Sequence, residues 1–293
     1  MQQRVVIVGA GPGGVAAAVQ CARLGVRPLL VDRRGEAGGL IANAHRVENY
    51  PGLERPLSGP ELAARLAAHL SRFGLEVTAA DVTGVAPEAG GFLVRSTDGR
   101  LRTRCVVLAV GTEPVQLGIP GEAALAGRLL FYEVRDLMLL KPRRVAVIGG
   151  GEAAFDYALS LAEAGARVTI CVRGGCPGVR GVLAERVAAN RAISVRAGAS
   201  PLAVEERGDS AALLLDCPAG EEELVADAVL AAVGRQSRAP RLLPEGAFTP
   251  GGAVETALPG LFVVGDARLG GLGQVGMAVG DGLYAAARLL DGD

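Results

Sequence analysis

Gly9-Ala10-Gly11-Pro12-Gly13-Gly14 follows directly on the β-branched apolar run Arg4–Val8 and leads into a helical pattern over Val15–Leu24 that stops at Gly25. A second apolar run, Pro28–Val31, ends in Asp32, which lies 32 − 9 = 23 residues after the first glycine. Strand, glycine turn, helix and terminal acid at this spacing form the dinucleotide-binding fingerprint. The chemistry is that of a cradle. The first glycine permits the tight turn, the second lets a pyrophosphate approach the backbone, and the next lets helix and strand pack closely. Free N–H groups and the positive end of the helix dipole then face the phosphates. Asp32 would accept hydrogen bonds from a ribose hydroxyl pair.

The same order of elements is written a second time. Arg144–Ile148 reads as a strand, Gly149-Gly150-Gly151-Glu152-Ala153-Ala154 as a G-x-G-x-x-A turn, Phe155–Ala164 as a helix ended by Gly165, and Ala166–Val172 as the next strand. The first glycines are 149 − 9 = 140 residues apart, and 32 + 140 = 172 is Val172, so the acid is missing from the second copy. Arg173 follows. Loss of the acid beside an arginine is the usual direction of change for a nucleotide carrying a 2′-phosphate. Arg33 also follows Asp32 in the first copy, however, so an arginine after the strand is equally an ordinary solvated side chain. NADP and NAD both stay open.

The elements that would position these turns repeat as well. Gly91–Arg104 reads as a polar hairpin with an Asp98-Gly99 turn, and Leu202–Ala226 carries Arg207-Gly208-Asp209 and Pro218-Ala219-Gly220. Each leads into an apolar strand ending in glycine, Cys105–Gly111 and Ala228–Gly234. The tail holds a further strand and turn, Leu261–Asp266, a glycine-rich stretch and a final helix over Gln274–Leu290. The expected architecture is α/β: two nested Rossmann-like dinucleotide-binding domains, each with a parallel sheet and a β-hairpin or meander. The first domain is expected to span 1–114 and 242–293, the second 115–241.

Composition excludes other classes. Glycine makes up 43 of 293 residues without a Gly-x-x period, and 50% hydrophobic residues with a mean hydropathy of +0.34 supply a large core. Aromatics are 3% of the chain with no Trp, and 30 Lys+Arg against 31 Asp+Glu form no basic block. Nucleic acid is therefore an unexpected partner. The five cysteines, at 21, 105, 171, 176 and 217, include no Cys-x-x-Cys and make no disulfide framework. Cys171 and Cys176 read as core and loop thiols or as a redox pair. Arg4 and the run after it imitate a signal peptide, but the glycines from Gly9 to Gly14 break its apolar segment. No apolar stretch reaches the roughly 18 residues of a membrane span. The expectation is a cytoplasmic chain, off the membrane, with no metal site.

Five ordered segments, GAGPGG, GGLIANAHRVENYPGL, AVGTEPVQLGIPGE, VAVIGGGEAAFDYAL and LFVVGDA, resemble the signatures of the low-molecular-weight thioredoxin reductase family. The resemblance covers nearly the whole chain. It implies FAD in the first copy, a pyridine nucleotide in the second, and a homodimer. By motif match, Gly9, Gly11, Pro12, Gly13 and Gly14 would hold the FAD pyrophosphate, and Asp32, with Arg33 beside it, the adenosine ribose. Gly39, Leu40 and Asn49 would form the flavin side, and Val82 would offer backbone to adenine. Ala109 and Gly111 at the strand end and Gly265 belong to the same site. Asp266 would bond the ribityl chain or phosphate, and Gln274 with Val275 would present backbone to the isoalloxazine. Gly149, Gly151, Glu152, Ala153, Ala154, Arg173 and Gly234 would hold the NAD(P). His45 and Tyr50 read either as flavin neighbours or as ordinary loop residues.

Thioredoxin reductases carry a Cys-x-x-Cys-Asp segment just before the second nucleotide unit, where this chain reads Tyr132-Glu133-Val134-Arg135-Asp136. The segment GGLIANAH supplies no cysteine in its place. Without a dithiol, thiol exchange has no nucleophile. The stretch FYEVRDLMLLKPRRVAVIGGGEAAFDYAL resembles the thioredoxin-reductase-like ferredoxin/flavodoxin–NADP reductases, which carry Tyr-x-Val-x-Asp there. Those proteins have paired arginines where Arg173 precedes Gly174-Gly175, and a C-terminal extension over the flavin where this sequence reads Asp293 soon after its last helix. The flavin face is thus expected to be open or covered by a partner subunit. The resemblance implies hydride transfer from nicotinamide C4 to flavin N5 and reoxidation by a small molecule or a small electron-carrier protein. The cofactors carry that chemistry, so no side chain need be an acid or base. Two rivals are a flavoprotein reduced by a protein donor in place of NAD(P)H, and a non-catalytic FAD-binding regulator.

Overall fold

The computed structural model describes residues 3–270 and 273–290, and the chain divides by its contacts into two compact units. One holds the residues up to Ala42, Val47–Glu113 and Arg235 onward; the other holds Asn43–Arg46 and Pro114–Gly234.

In the first unit the β-branched strand Gln3–Val8 lies between Leu29–Asp32 and the end of Gly99–Leu108, parallel to both. Val77–Ala79 and Leu261–Val263 extend the parallel sheet on either side. The first half of Gly99–Leu108 runs on into an antiparallel meander with Gly91–Ser96 and Val82–Glu88, where Ser96 pairs Gly99. Ile7, Val107, Ala17, Ala18, Ala285 and Ala286 are buried in one core under the helices Pro12–Arg23 and Val275–Leu290. Those helices meet at glycine: a Cβ on Gly282 would lie 2.1 Å from Gly13 O.

The second unit repeats the plan. A five-stranded parallel sheet runs Ile193–Ala197, Arg167–Val172, Arg144–Ile148, Ala228–Ala231, Leu130–Phe131. A separate antiparallel meander follows as Ser200–Arg207, Ser210–Cys217 and Gly220–Ala226. Side chains alternate across the sheet as the pleat requires: Val147, Ile170 and Leu230 bury against the helix Glu152–Glu163, Ala146, Ile148 and Val229 against Leu213 and Leu215 of the meander. No helix of the described residues is long and apolar enough to cross a membrane.

Several expectations move. Both fingerprint helices start three residues early, at Pro12 and Glu152, with Gly11 and Gly151 as extended N-caps. In the first, proline at the first helical position and the two glycines after it carry no apolar period, so periodicity placed the start too late; in the second, Glu152-Ala153-Ala154 was read as part of the turn. The chain returns to the first unit at Arg235 and not at 242. Residues 235–241 are tied there: Arg235 bonds Thr112, Ser237 Oγ donates to Ala267 O, and Ala239 is buried in the first unit's core. Val82 opens the edge strand Val82–Glu88.

Candidate functional site

The first turn is glycine by necessity. Gly9 has φ +102° and its Cβ would sit 2.2 Å from Ala109 O, while a Cβ on Gly14 would sit 1.8 Å from Gly9 O. Ala109 is fixed by its N–H to Val8 O at 2.7 Å. Gly11 differs: nothing lies within 4 Å of where its Cβ would point. Open space in front of the second glycine is the cradle a pyrophosphate needs.

Asp32 is aimed at that cradle, because its carboxylate accepts the N–H of Ala10 at 3.0 Å and of Arg34 at 2.8 Å. Arg33 is exposed, without a partner among the described residues. Ala80 N–H donates to Asp32 O at 3.1 Å, which carries the chain to Val82 beside the acid. Gly38 N–H donates to Ala10 O at 2.8 Å, and a Cβ on Gly39 would lie 3.0 Å from Gly11 Cα. The 3₁₀ turn Gly39–Asn43, with half-buried Leu40, therefore starts on the phosphate cradle.

The tail closes the same site from the other side. Gly265 caps the short helix Asp266–Leu269, and its N–H donates to Asp281, itself paired with Arg268 at 2.9 Å. Burial pushes the Asp266 carboxyl above its ordinary range, and the charge of Arg235 partly opposes this. Arg235 is held by Thr112, through Nε to Oγ1 at 2.9 Å and Nη2 to the carbonyl at 3.0 Å. Gly111 before it has φ +60° and faces open space. Asn49 Nδ2 donates to Gln274 Oε1 at 2.7 Å, at the start of the helix Val275–Leu290, and the Tyr50 ring lies near Gly276. Residues far apart in sequence, 49, 266 and 274, thus join the fingerprint turn in one unit.

The second turn has the same skeleton. Gly149 has φ +150°, a Cβ there would lie 2.3 Å from Ala232 O, and Gly151 faces open space. Gly151, Glu152 and Ala153 are exposed, while Ala154 is buried. Val172 is buried at the place of the acid. Arg173 is exposed and has no partner among the described residues. Gly178 N–H donates to Gly150 O at 3.0 Å, so the loop after Arg173 folds back on the turn. Gly234, φ +127°, accepts Val115 N–H at 3.0 Å.

The segment Tyr132–Asp136 is held rigidly. Tyr132 Oη donates to Glu122 at 2.7 Å, and the buried Glu122 carboxylate also accepts Leu117 and Gly118 N–H at 2.7 Å each. Burial, and then Glu122, push the Tyr132 hydroxyl upward. Asn43 Nδ2 donates to Glu133 at 2.5 Å, and its Oδ1 accepts Arg135 N–H at 3.1 Å. Arg135 Nε lies 4.0 Å from Asp136. His45 belongs to this unit too: its N–H donates to Asp156 at 2.7 Å and its Nε2 meets Glu163 at 2.7 Å. Sequence reasoning missed Asn43, Glu122 and Arg235. Asn43 and Glu122 both lay in quoted motifs, whereas Arg235 lay in none. All five cysteines are free. Burial pushes the Cys21 and Cys171 thiols up to about 11, and Cys176 is exposed.

A family model described as pyridine nucleotide-disulphide oxidoreductase matches residues 3–282. The thioredoxin reductase of Bacillus subtilis is 32% identical over 299 residues, covering 96% of this chain and 92% of that one. That of Treponema pallidum is 33% identical over 291 residues, covering 96% and 94%. The crystal structure of Lactococcus lactis thioredoxin reductase superposes with a TM-score of 0.89 at 29% identity, covering 99% and 98% of the two chains. That of T. acidophilum gives 0.87 at 29%, covering 98% and 97%. The thioredoxin reductase family uses FAD and NADPH, and the two turns, each with a glycine facing open space, fit two dinucleotides. The chain belongs to the pyridine nucleotide-disulphide oxidoreductase family, as a flavoprotein of the low-molecular-weight thioredoxin reductase type.

Proposed function

We propose that this chain passes electrons from NAD(P)H through FAD to a small or protein acceptor without a redox-active disulfide of its own, in the manner of ferredoxin/flavodoxin–NADP reductases. The observation that carries this reading is the segment Tyr132–Asp136, which has no cysteine and whose Tyr132 and Glu133 side chains are bonded to Glu122 and Asn43. Bound FAD would supply a two-electron store filled by hydride from the nicotinamide. The chain's own work is then binding and orientation. Gly9, Gly11, Pro12, Gly13 and Gly14 would hold the pyrophosphate, Asp32 the ribose, Val82 the adenine, and Asp266 the ribityl chain or phosphate. Gly39, Leu40 and Asn49, with Gln274 and Val275 at their helix start, would flank the flavin. Gly149, Gly151, Glu152, Ala153, Ala154 and Gly234 would cradle the second nucleotide, with Arg173 beside its ribose. A cytoplasmic homodimer completes the proposal.

Anaerobic stopped-flow mixing of the FAD-loaded protein with NADPH and with NADH tests it. Flavin bleaching with at least one is expected, and none with either would sink the reading. The lost arginine pair, Arg173 being followed by Gly174-Gly175, favours a second reading, reduction by a protein donor. Calorimetric titration that detects no nucleotide binding would select that one.

A further inference from the structure

The turn at Gly265-Asp266 is flanked by two acids in opposite conditions. Asp281 reaches it from the helix Val275–Leu290. Its Oδ2 accepts the Gly265 N–H and Arg268 Nε, each at 3.0 Å, and its Oδ1 accepts Arg268 Nη2 at 2.9 Å. Arg268 Nη1 donates in turn to Gly252 O at 2.8 Å, and Gly251 N–H donates to Arg268 O at 2.8 Å. The Asp266 carboxylate, by contrast, accepts no hydrogen bond from the described residues. A Cβ on Gly273 would lie 1.7 Å from its Oδ1, so the residue before Gln274 has room only for glycine.

The side chains of Arg268 and Asp281 are 15% and 12% exposed. A buried ion pair is seldom more stabilising than well-packed apolar side chains of its size, so stability alone does not account for this one. What it offers that apolar side chains could not is an acceptor for the Gly265 N–H. That peptide is an awkward one. Gly265 has φ +65° and ψ −145°, outside the helix Asp266–Leu269 that it caps, and a Cβ there would lie 3.0 Å from the Ala278 Cβ. Asp281 also lies 281 − 274 = 7 residues, about two helical turns, beyond Gln274, whose carbonyl accepts the Ala278 N–H at 3.0 Å. One ion pair thus ties the turn before Asp266 to the helix whose start carries Gln274 and Val275.

We propose that Asp281, held by Arg268, is the positioning residue of the flavin-side site: by fixing the Gly265 peptide it sets the Asp266 carboxylate in register with Gln274 and Val275 before FAD binds. This deepens the reading above and rests on it, because it takes Asp266 as a ligand of FAD. Of the two acids, Asp281 builds the site and Asp266 meets the ligand.

Hydrogen exchange on the wild-type apo-protein reads this geometry directly. The Gly265 amide should already exchange about 100-fold or more slower than in an unstructured chain, with little added protection from FAD. Three variants of the full chain then separate positioning from stability. Asp281→Asn keeps an oxygen for the Gly265 N–H, Asp281→Leu of similar size does not, and Asp281→Leu/Arg268→Met fills the place of the pair with apolar side chains. FAD affinity, read by flavin fluorescence, should stay within about threefold of wild type in Asp281→Asn and fall about tenfold or more in the other two. The visible circular-dichroism band of the bound flavin should change in those two as well. The double variant should regain the urea midpoint that Asp281→Leu loses, so that affinity and stability part. An FAD affinity that recovers together with stability in the double variant would overturn the inference. So would a Gly265 amide that exchanges freely until FAD is added, an outcome that needs no variant to fold. The readings fail separately. A flavin that neither NADPH nor NADH bleaches defeats the proposed function alone, and unchanged FAD affinity in Asp266→Asn defeats the Asp266 assignment. Loss of affinity in Asp266→Asn beside an unchanged Asp281→Leu defeats this inference alone.

Discussion

The two glycine turns share a backbone and differ in what surrounds it. In both, the first glycine abuts a strand-end carbonyl, at 2.2 Å and 2.3 Å from a would-be Cβ, and the next-but-one glycine faces open space. Around the first turn, Gly13 and Gly14 are buried, because a second helix crosses at Gly282 and the 3₁₀ turn at Gly39 rests on Gly11. Around the second, Gly151, Glu152 and Ala153 are exposed, and alanine suffices at position 154. A turn built into the core suits a cofactor that stays, and a turn left at the surface suits a nucleotide that must exchange on every cycle. The difference lies in packing more than in the fingerprint.

The largest effect should come from putting the second copy's alanine into the first. Gly14→Ala places a methyl 1.8 Å from Gly9 O, and such overpacking should cost about 3 kcal/mol or more and empty the flavin site. The mirror change, Ala154→Gly, should cost about 1 kcal/mol. Urea unfolding of both apo-proteins checks this, and equal costs would erase the contrast. Next in size are Gly11→Ala and Gly151→Ala. Both positions have extended backbone, φ −69° and −97°, open to any residue. Stability should move by less than about 0.5 kcal/mol. Affinity should fall about 100-fold, some 2.7 kcal/mol, for FAD in the first and NAD(P)H in the second, read by flavin fluorescence and by calorimetry. An apo-protein that unfolds instead would show that the open space is structural.

These turns were legible because their residue types answer to backbone geometry alone. What was not legible depended on tertiary context. Val82–Glu88 contains Gly84 and Pro87, which argue against a strand, and it is tolerated at the sheet edge where one ladder is unpaired. The helix Gly59–Arg72 carried a readable signal that went unused, the capping box of Ser58 and Glu61. Asn43 bridges Glu133 and Arg135 from 90 and 92 residues away, and local patterning carries no information about such a partner. The missing acid at Val172 could be read directly; how Arg173 is used could not.

That acid gives the third test. Val172→Asp would set a carboxylate near the Gly150 N–H, as Asp32 sits on Ala10, and make a harsh neighbour for a 2′-phosphate. The preference for NADPH over NADH in the reductive half-reaction should drop about tenfold, or 1.4 kcal/mol. An unchanged ratio would mean that Arg173 does not face the ribose.

The smallest effect separates the units by pH. Burial raises the Asp266 carboxyl in the first unit and the Asp156 carboxyl in the second above the ordinary 3.8. The folded state then holds each proton more tightly than the unfolded chain, so the contribution is fully present below the ordinary value and is lost as pH rises through the raised one. At neutral pH each ionised carboxylate therefore weakens the apo fold. At Asp156 the rise is opposed by the N–H and charge of His45 and the N–H of Arg46, with the Glu152 charge acting the other way, whereas at Asp266 the Arg235 charge alone opposes burial. Asp266→Asn should stabilise the apo-protein at neutral pH and converge with wild type below about pH 4, while Asp156→Asn should gain less. Parallel stability curves for Asp266→Asn and wild type across this range would break the argument. If the curves diverge as expected, the first unit keeps a carboxylate that its own fold disfavours, and FAD is the ligand whose hydroxyl groups would repay it.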